Sequence, residues 1–237
     1  MIRKFLFLGV LGLASIYSYA QTKPKAKPAT PAQKAPALKT KLDSVSYAIG
    51  QDIGSSLKAQ GLDNLNPTLL LKAIQDATKN QQPLLTKEQS DMSISNYLQQ
   101  LKGEKAAKNK AAGEQFLAAN KTKPGVVTLP SGLQYQVIKE GTGPKPTAAD
   151  KVKTHYHGTL IDGTVFDSSV DRGQPISFAV GGVIAGWTEA LQLMPVGSKW
   201  KLFIPSELGY GDRQAGPKIG PGSTLIFEVE LLEIVKE

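Results

Sequence analysis

The stretch VKTHYHGTL, Val152 to Leu160, puts Val152, Thr154 and Tyr156 on one face and Lys153, His155 and His157 on the other. A period of two marks a strand with one buried side, because successive side chains of extended backbone point to opposite faces. The segments around it agree. LQYQVI (Leu133 to Ile138) also alternates, and KWKLFIP and TLIFEVELLEIV read as two further strands. IDGTVF carries a hairpin-like Asp162-Gly163 turn. One short helical segment, Ile184 to Leu193, interrupts the strands. Several strands with a single helix predict an α+β unit over residues 126–237, a curved antiparallel sheet wrapped on that helix.

Upstream, the period changes to that of helices. Val45, Ile49, Ile53 and Leu57 recur every four residues and form one apolar stripe, with Gly61 placed to end the helix. Asn66 and Pro67 then give an N-cap and a first-turn proline. Thr86 and Gln89 have capping-box spacing ahead of a third helix, whose apolar face is Met92, Tyr97, Leu98 and Leu101. From Lys102 to Glu114 alanine is the only apolar residue type. That run predicts a connecting rod with water on most sides, docked at its far end by Phe116 and Leu117. Residues 42–120 thus read as an all-α arm with a long connecting helix. Three such helices bury little alone, so their stripes are expected to pack on a partner, and a homodimer is the expected assembly.

With 237 residues the chain has room for one or two domains. Residues 1–20 read as a signal peptide. Arg3 and Lys4 precede the apolar run Phe5 to Ile16, and Ser18 and Ala20 stand at −3 and −1 of a cut before Gln21. An uncleaved membrane anchor is the alternative. The chain has no cysteine, hence no lipobox and no disulfide. The expected location is the periplasm or outer cell envelope. The net charge of +8 comes from the N-terminal half, and residues 21–41 form a Lys/Pro/Ala-rich linker. Attraction to an anionic surface is the alternative for that linker. Nucleic acid is not an expected partner, since the tail lacks interleaved aromatics.

The polar residues offer little reactive chemistry. His155 and His157 are the only histidines, and without a cysteine or carboxylate motif they read as an exposed, unpaired pair rather than a metal site. Ser168 and Ser169 follow Asp167, but no G-x-S-x-G elbow is present. Gly181, Gly182 and Gly186 do not form a dinucleotide loop. No cofactor or metal is expected. What remains is aromatic and aliphatic. Trp187 shares a helix face with Ile184, and Tyr156, Phe166, Phe178, Tyr210 and Phe227 fall in the surrounding strands and loops. Each alone suits core packing. As a set beside Asp167 and Arg172, they suit an apolar pocket with a few directional polar groups.

KVKTHYHGTLIDGTVFDSSVDRGQPISFAVG, GVIAGWTEALQLMPVGSKWKLFIPSELGYG and PGSTLIFEVELLEI, in that order and spacing, resemble the FKBP-type peptidyl-prolyl cis–trans isomerases, from about Leu133 to Glu233. The signal segment and helical arm resemble the exported macrophage-infectivity-potentiator-like subgroup. The resemblance implies a prolyl isomerase that assists folding of exported proteins. It makes Trp187 the floor of a proline pocket, with Tyr156, Phe166, Phe178, Val183, Ile184 and Phe227 as walls. It gives Tyr210 an inward hydroxyl and Ile184 a backbone N–H for substrate carbonyls. Asp167 is placed at the rim, with Arg172 orienting it and Tyr156, and Ile219 in the lining. The implied partners are unfolded or partly folded proline-containing proteins, and FKBP-directed macrolides are implied inhibitors.

Two positions depart from the family pattern. Ile176 stands where many members carry an aromatic, and Lys218 precedes Ile219 where a second aliphatic is common. Two other functions stay open on the sequence: a non-catalytic holdase or scaffold acting through the helical arm, and an adhesion module acting through the Lys-rich tail.

Overall fold

The computed structural model describes residues 37–235. The expected signal segment and most of the linker lie outside the described residues. None of the helices among the described residues is long and apolar enough to cross a membrane. The chain divides into two units, one ending at Asp63 and one beginning at Asn64.

The first unit contributes helix α1, Lys41–Ala59. Its start is set by a capping box not foreseen from sequence. Thr40 Oγ1 accepts the Asp43 N–H at 3.0 Å, and Asp43 Oδ2 accepts the Thr40 N–H at 2.8 Å. Gly61 follows its end with φ +77°, the left-handed conformation that glycine tolerates. None of its residues is buried, and the stripe of Val45, Ile49 and Ile53 is open to solvent.

The second unit begins with α2, Pro67–Thr78, where Asn66 Oδ1 accepts the N–H groups of Thr68 and Leu69. It continues with α3, Lys87–Asn120, a helix of 34 residues capped by the Thr86–Gln89 box. Seven antiparallel strands follow: β1 Val126–Thr128, β2 Gln134–Lys139, β3 Lys151–Leu160, β4 Val165–Ser168, β5 Ile176–Ala179, β6 Lys199–Ile204 and β7 Leu225–Val235. Their order is β1-β2-β6-β7-β3-β4, and β5 shares an edge of β3 with β4. Helix α4, Ala185–Leu193, fills the concave face. The strands β1 and β5, unassigned in the sequence reading, are each four residues or fewer, too short for alternation to register.

The alternating pattern works as expected in β3 and β7. Val152, Thr154 and Tyr156 face the core from β3, and Leu225, Phe227, Val229 and Leu231 from β7. They pack with Trp187, Ala190, Leu191 and Met194 from α4 and its end. The helix lies close because Gly186 has no side chain: a Cβ there would come within 2.6 Å of Ile204 Cγ2.

The C-terminal half of α3 keeps water on most of its sides, as expected, but one narrow face of the rod is docked as well as its far end. Ala106, Gly113 and Asn120, one every seven residues, are buried against the β unit. Phe116 meets Phe203 on the convex face of β6 with ring centroids 6.0 Å apart. Asn120 Nδ2 donates to Gln134 Oε1 at 3.0 Å, and Gln134 Nε2 donates to the Leu117 carbonyl at 2.9 Å. A Cβ on Gly113 would fall 2.1 Å from Thr224 Oγ1, so glycine permits this approach. β6 is therefore covered on both sides, by the α4 core and by α3.

Candidate active site

β3, β4, β5, β7, the entry of α4 and the loop after Tyr210 surround a cavity of about 900 Å³. β3 supplies Tyr156 and β4 supplies Phe166 and Asp167. Phe178 comes from β5 and Phe227 from β7. Val183, Ile184 and Trp187 come from the turn into α4 and its first turn, and Tyr210 and Ile219 from the loop. All the expected lining residues are thus brought to one cavity. Arg172 is not in the lining; it lies outside and grips the rim.

Ring packing fixes the indole. Trp187 is 4% exposed, and three rings meet it edge to face: Phe227 at 5.2 Å, Tyr156 at 5.5 Å and Phe178 at 5.7 Å between centroids. Such T-shaped pairs set the positive edge of one ring on the negative face of another, which favours one orientation over a sliding stack. Phe166 meets Phe227 in the same way at 5.3 Å. The room for these two rings comes from β3, where Gly158 lies behind them. A Cβ at Gly158 would be 2.6 Å from Phe166 Cε2 and 2.9 Å from Phe227 Cε1.

The polar rim is a closed triangle. The Tyr156 hydroxyl donates to Asp167 Oδ2, Arg172 Nη1 pairs with Asp167 Oδ1, and Arg172 Nη2 donates to the Tyr156 oxygen at 3.0 Å. Burial alone would raise the Asp167 carboxyl, but the hydrogen bonds from Tyr156 and Arg172 outweigh it and hold the group below the usual carboxylate range. Burial, and then the bond to Asp167, push the Tyr156 phenol above its ordinary value. At neutral pH the triangle is therefore one carboxylate, one guanidinium and one neutral phenol. Asp167 is held as an ion-pair partner, not poised as a base.

The two serines after Asp167 bring Arg172 back. Ser169 Oγ accepts the Tyr156 N–H at 2.8 Å, and the Ser169 N–H donates to the Tyr156 carbonyl at 2.9 Å. Ser168 Oγ accepts the Asp171 N–H at 3.1 Å, and the Gly173 N–H donates to the Val170 carbonyl at 2.9 Å. The histidines contribute to this turn, which corrects their reading as exposed and unpaired. His155 Nδ1 lies 3.1 Å from Ser169 Oγ, His157 Nδ1 lies 3.0 Å from Ser168 Oγ, and both rings are half-buried.

Ile184 caps α4 with extended backbone (φ −60°, ψ 149°), and its carbonyl accepts from Trp187 and Thr188. Among the described residues, no backbone hydrogen bond uses the Ile184 N–H. None of the described side-chain bonds engages the Tyr210 hydroxyl. Both groups belong to cavity-lining residues. The arrangement offers an apolar floor and walls with few donors, suited to a compact apolar ring flanked by carbonyls.

The sequence reading missed part of the lining. Gly209, Arg213, Ala215, Gly216 and Pro217 complete the loop side, together with Lys218, which it had noted only as a departure. Gly182 and Ala185 add backbone at the entry to α4. The Gly/Pro punctuation of GDRQAGPKIGPG next to Tyr210 was the available signal for a wall-forming loop.

Comparison with known proteins shows the family. Residues 143–232 match the family model described as FKBP-type peptidyl-prolyl cis-trans isomerase, and residues 42–137 match the domain amino terminal to it. The chain is 49% identical to the outer membrane protein MIP of Legionella longbeachae, with 98% of each chain covered. It is 48% identical to the FKBP-type 22 kDa peptidyl-prolyl cis-trans isomerase of Escherichia coli K12, over 80% of this chain and 94% of that one. The crystal structure of FkpA from Escherichia coli superposes with a TM-score of 0.65 at 38% identity, covering 84% of this chain and 98% of that one.

Proposed function

The chain belongs to the FKBP-type peptidyl-prolyl cis-trans isomerases, and from that membership we propose how its own residues turn the bond. It isomerises X–Pro amides in proline-containing proteins. The barrier is lost amide resonance, about 18–20 kcal/mol, and uncatalysed exchange takes tens to hundreds of seconds. The planar amide is strongly dipolar and well hydrated. The twisted amide has lost the C–N double-bond character and is less polar. A dry aromatic cavity disfavours the planar form more than the twisted one, which is selective stabilisation of the transition state.

In this reading the pyrrolidine ring rests on the Trp187 indole, between Tyr156, Phe166, Phe178 and Phe227, with Val183 and Ile219 completing the apolar wall. The Ile184 N–H and the Tyr210 hydroxyl hold the neighbouring carbonyls while the bond turns. Asp167 faces the reacting amide from the rim and Arg172 fixes its position. No proton transfer is required. The observation that carries this proposal is the Trp187 indole locked by three edge-to-face rings at the cavity. A proline-containing peptide assay tests it. Catalysed exchange that is abolished by an FKBP-directed macrolide is expected, and no gain over background with folded protein would overturn it.

The wider assignments rest on further observations. A signal peptide at 1–20 and an envelope location are supported by the full-length match to an outer membrane protein. A helical domain at 42–120 ahead of an isomerase domain at 126–237 is supported by the two family-model spans. Homodimerisation through the arm is supported by the open apolar side chains of α1, together with Leu69, Leu71, Met92 and Ile94 of α2 and α3. A paired enzyme of this kind in the envelope would act as a folding assistant for exported chains.

A further inference from the structure

The loop from Tyr210 to Ile219 forms one side of the cavity and brings two cations into its lining, Arg213 and Lys218. Lys218 Nζ donates to the Val165 carbonyl at 2.6 Å, which tethers the ammonium beside Phe166 and Asp167. That acceptor is neutral, and an ammonium has three donors. The tether therefore orients the charge without cancelling it. Among the described residues, neither Lys218 nor Arg213 belongs to an ion pair.

The one carboxylate in the lining is already matched, and so is the one next to Arg213. Asp167 pairs with Arg172, and Asp212, next to Arg213, pairs with Lys110 of α3 at 2.7 Å. The lining thus carries two uncompensated positive charges and no uncompensated negative one. The floor is apolar and selects the proline ring. The loop side is cationic and faces whatever flanks that ring.

We propose that this enzyme selects prolyl segments carrying an aspartate or glutamate within two residues of the proline, with Lys218 and Arg213 as the specificity-determining residues. The inference rests on the isomerase reading of the cavity. A carboxylate at such a position lies near Lys218 and Arg213 while the ring occupies the floor. An exposed pair of this kind contributes modestly and is weakened by salt.

The test uses the full chain and matched peptides that differ only by Glu or Gln at each of the two positions before and after the proline. The readout is the ratio of kcat/KM for the Glu peptide to that for the Gln peptide. At one position that ratio is expected to be about three- to fivefold at low ionic strength, falling as salt is added. Lys218→Gln combined with Arg213→Gln brings it to about one. Lys218→Glu combined with Arg213→Glu inverts it, so that the Glu peptide turns over more slowly than the Gln peptide, which loss of a structural tether alone would not do. A ratio near one at every position in the unsubstituted protein, or one that survives the double substitution, overturns the proposal. In the first of these cases, turnover of the Gln peptides leaves the isomerase reading standing. Failure of the folded protein to turn over any peptide overturns both.

Discussion

Asn109 of α3 donates from Nδ2 to the carbonyl of Pro221 at 2.8 Å, across 112 positions of sequence. Pro221 closes the loop that walls the cavity, and the next residue returns to it: the Gly222 N–H donates to the Gly211 carbonyl at 2.8 Å. Lys110 holds Asp212 of the same loop. The connecting helix is therefore also a support for the loop that lines the cavity. Asn109→Ala leaves a buried carbonyl without its donor, a loss on the order of 1 kcal/mol. A lower melting temperature and a raised KM for peptide are expected, checked by calorimetry and steady-state rates.

Two glycines of α3 are expected to respond in opposite directions. Gly113→Ala forces a methyl onto Thr224 and should destabilise by about 1–3 kcal/mol. Gly103 has nothing within 4 Å, so Gly103→Ala should stabilise by about 0.4–1 kcal/mol through the unfolded chain. Denaturant midpoints of the two variants measure this directly. Equal shifts in both would mean that α3 does not dock as described.

Tyr210→Phe keeps the ring and removes only the hydroxyl. Since none of the described side-chain bonds uses that hydroxyl, stability should stay within about 0.5 kcal/mol of the parent. A single neutral hydrogen bond lost in the transition state lowers kcat/KM by roughly two- to tenfold. Peptide turnover and a thermal melt together separate the two effects.

The rim triangle sets a pH dependence with a definite sign. The folded-state pKa of Asp167 lies below its unfolded value, so its stabilising contribution is complete above the ordinary carboxylate pKa of about 4 and disappears as pH falls through the folded value. Tyr156 shifts upward, so its contribution is complete below the ordinary phenol pKa of about 10 and is lost as pH rises through the folded one. Between those limits the triangle keeps one charge state. The kcat/KM profile should be flat from about pH 6 to 8, because the proposed torsional mechanism uses no general acid or base. Denaturation at acid pH should show Asp167→Asn losing the pH-dependent part of this stabilisation.

Ile49→Glu places a charge in the open stripe of α1. Light scattering should report twice the chain mass for the parent and a single chain for the variant. Turnover of a short peptide should be the same in both, since α1 supplies no residue to the cavity lining.

Much of this molecule is legible in the amino-acid order because large apolar side chains announce themselves by period. β3 and β7 alternate, α2 and α3 carry their caps, and the aromatic set around Trp187 stands out where other reactive groups are scarce. The docked face of α3 was hidden for the opposite reason. Ala106, Asn109, Gly113 and Asn120 are small or polar, so hydrophobic periodicity passes over them, although close approach requires just such residues. The triangle of Tyr156, Asp167 and Arg172 was reached only through family resemblance. Its distances depend on how the serine turn folds back, which no local pattern encodes.

Gly158 has a consequence for control of the enzyme. One added methyl on the core face of β3, the face that carries Tyr156, would press on Phe166 and Phe227 from the strand side, toward the cavity they line. The catalytic chamber can thus be throttled from behind, by atoms that never meet the substrate.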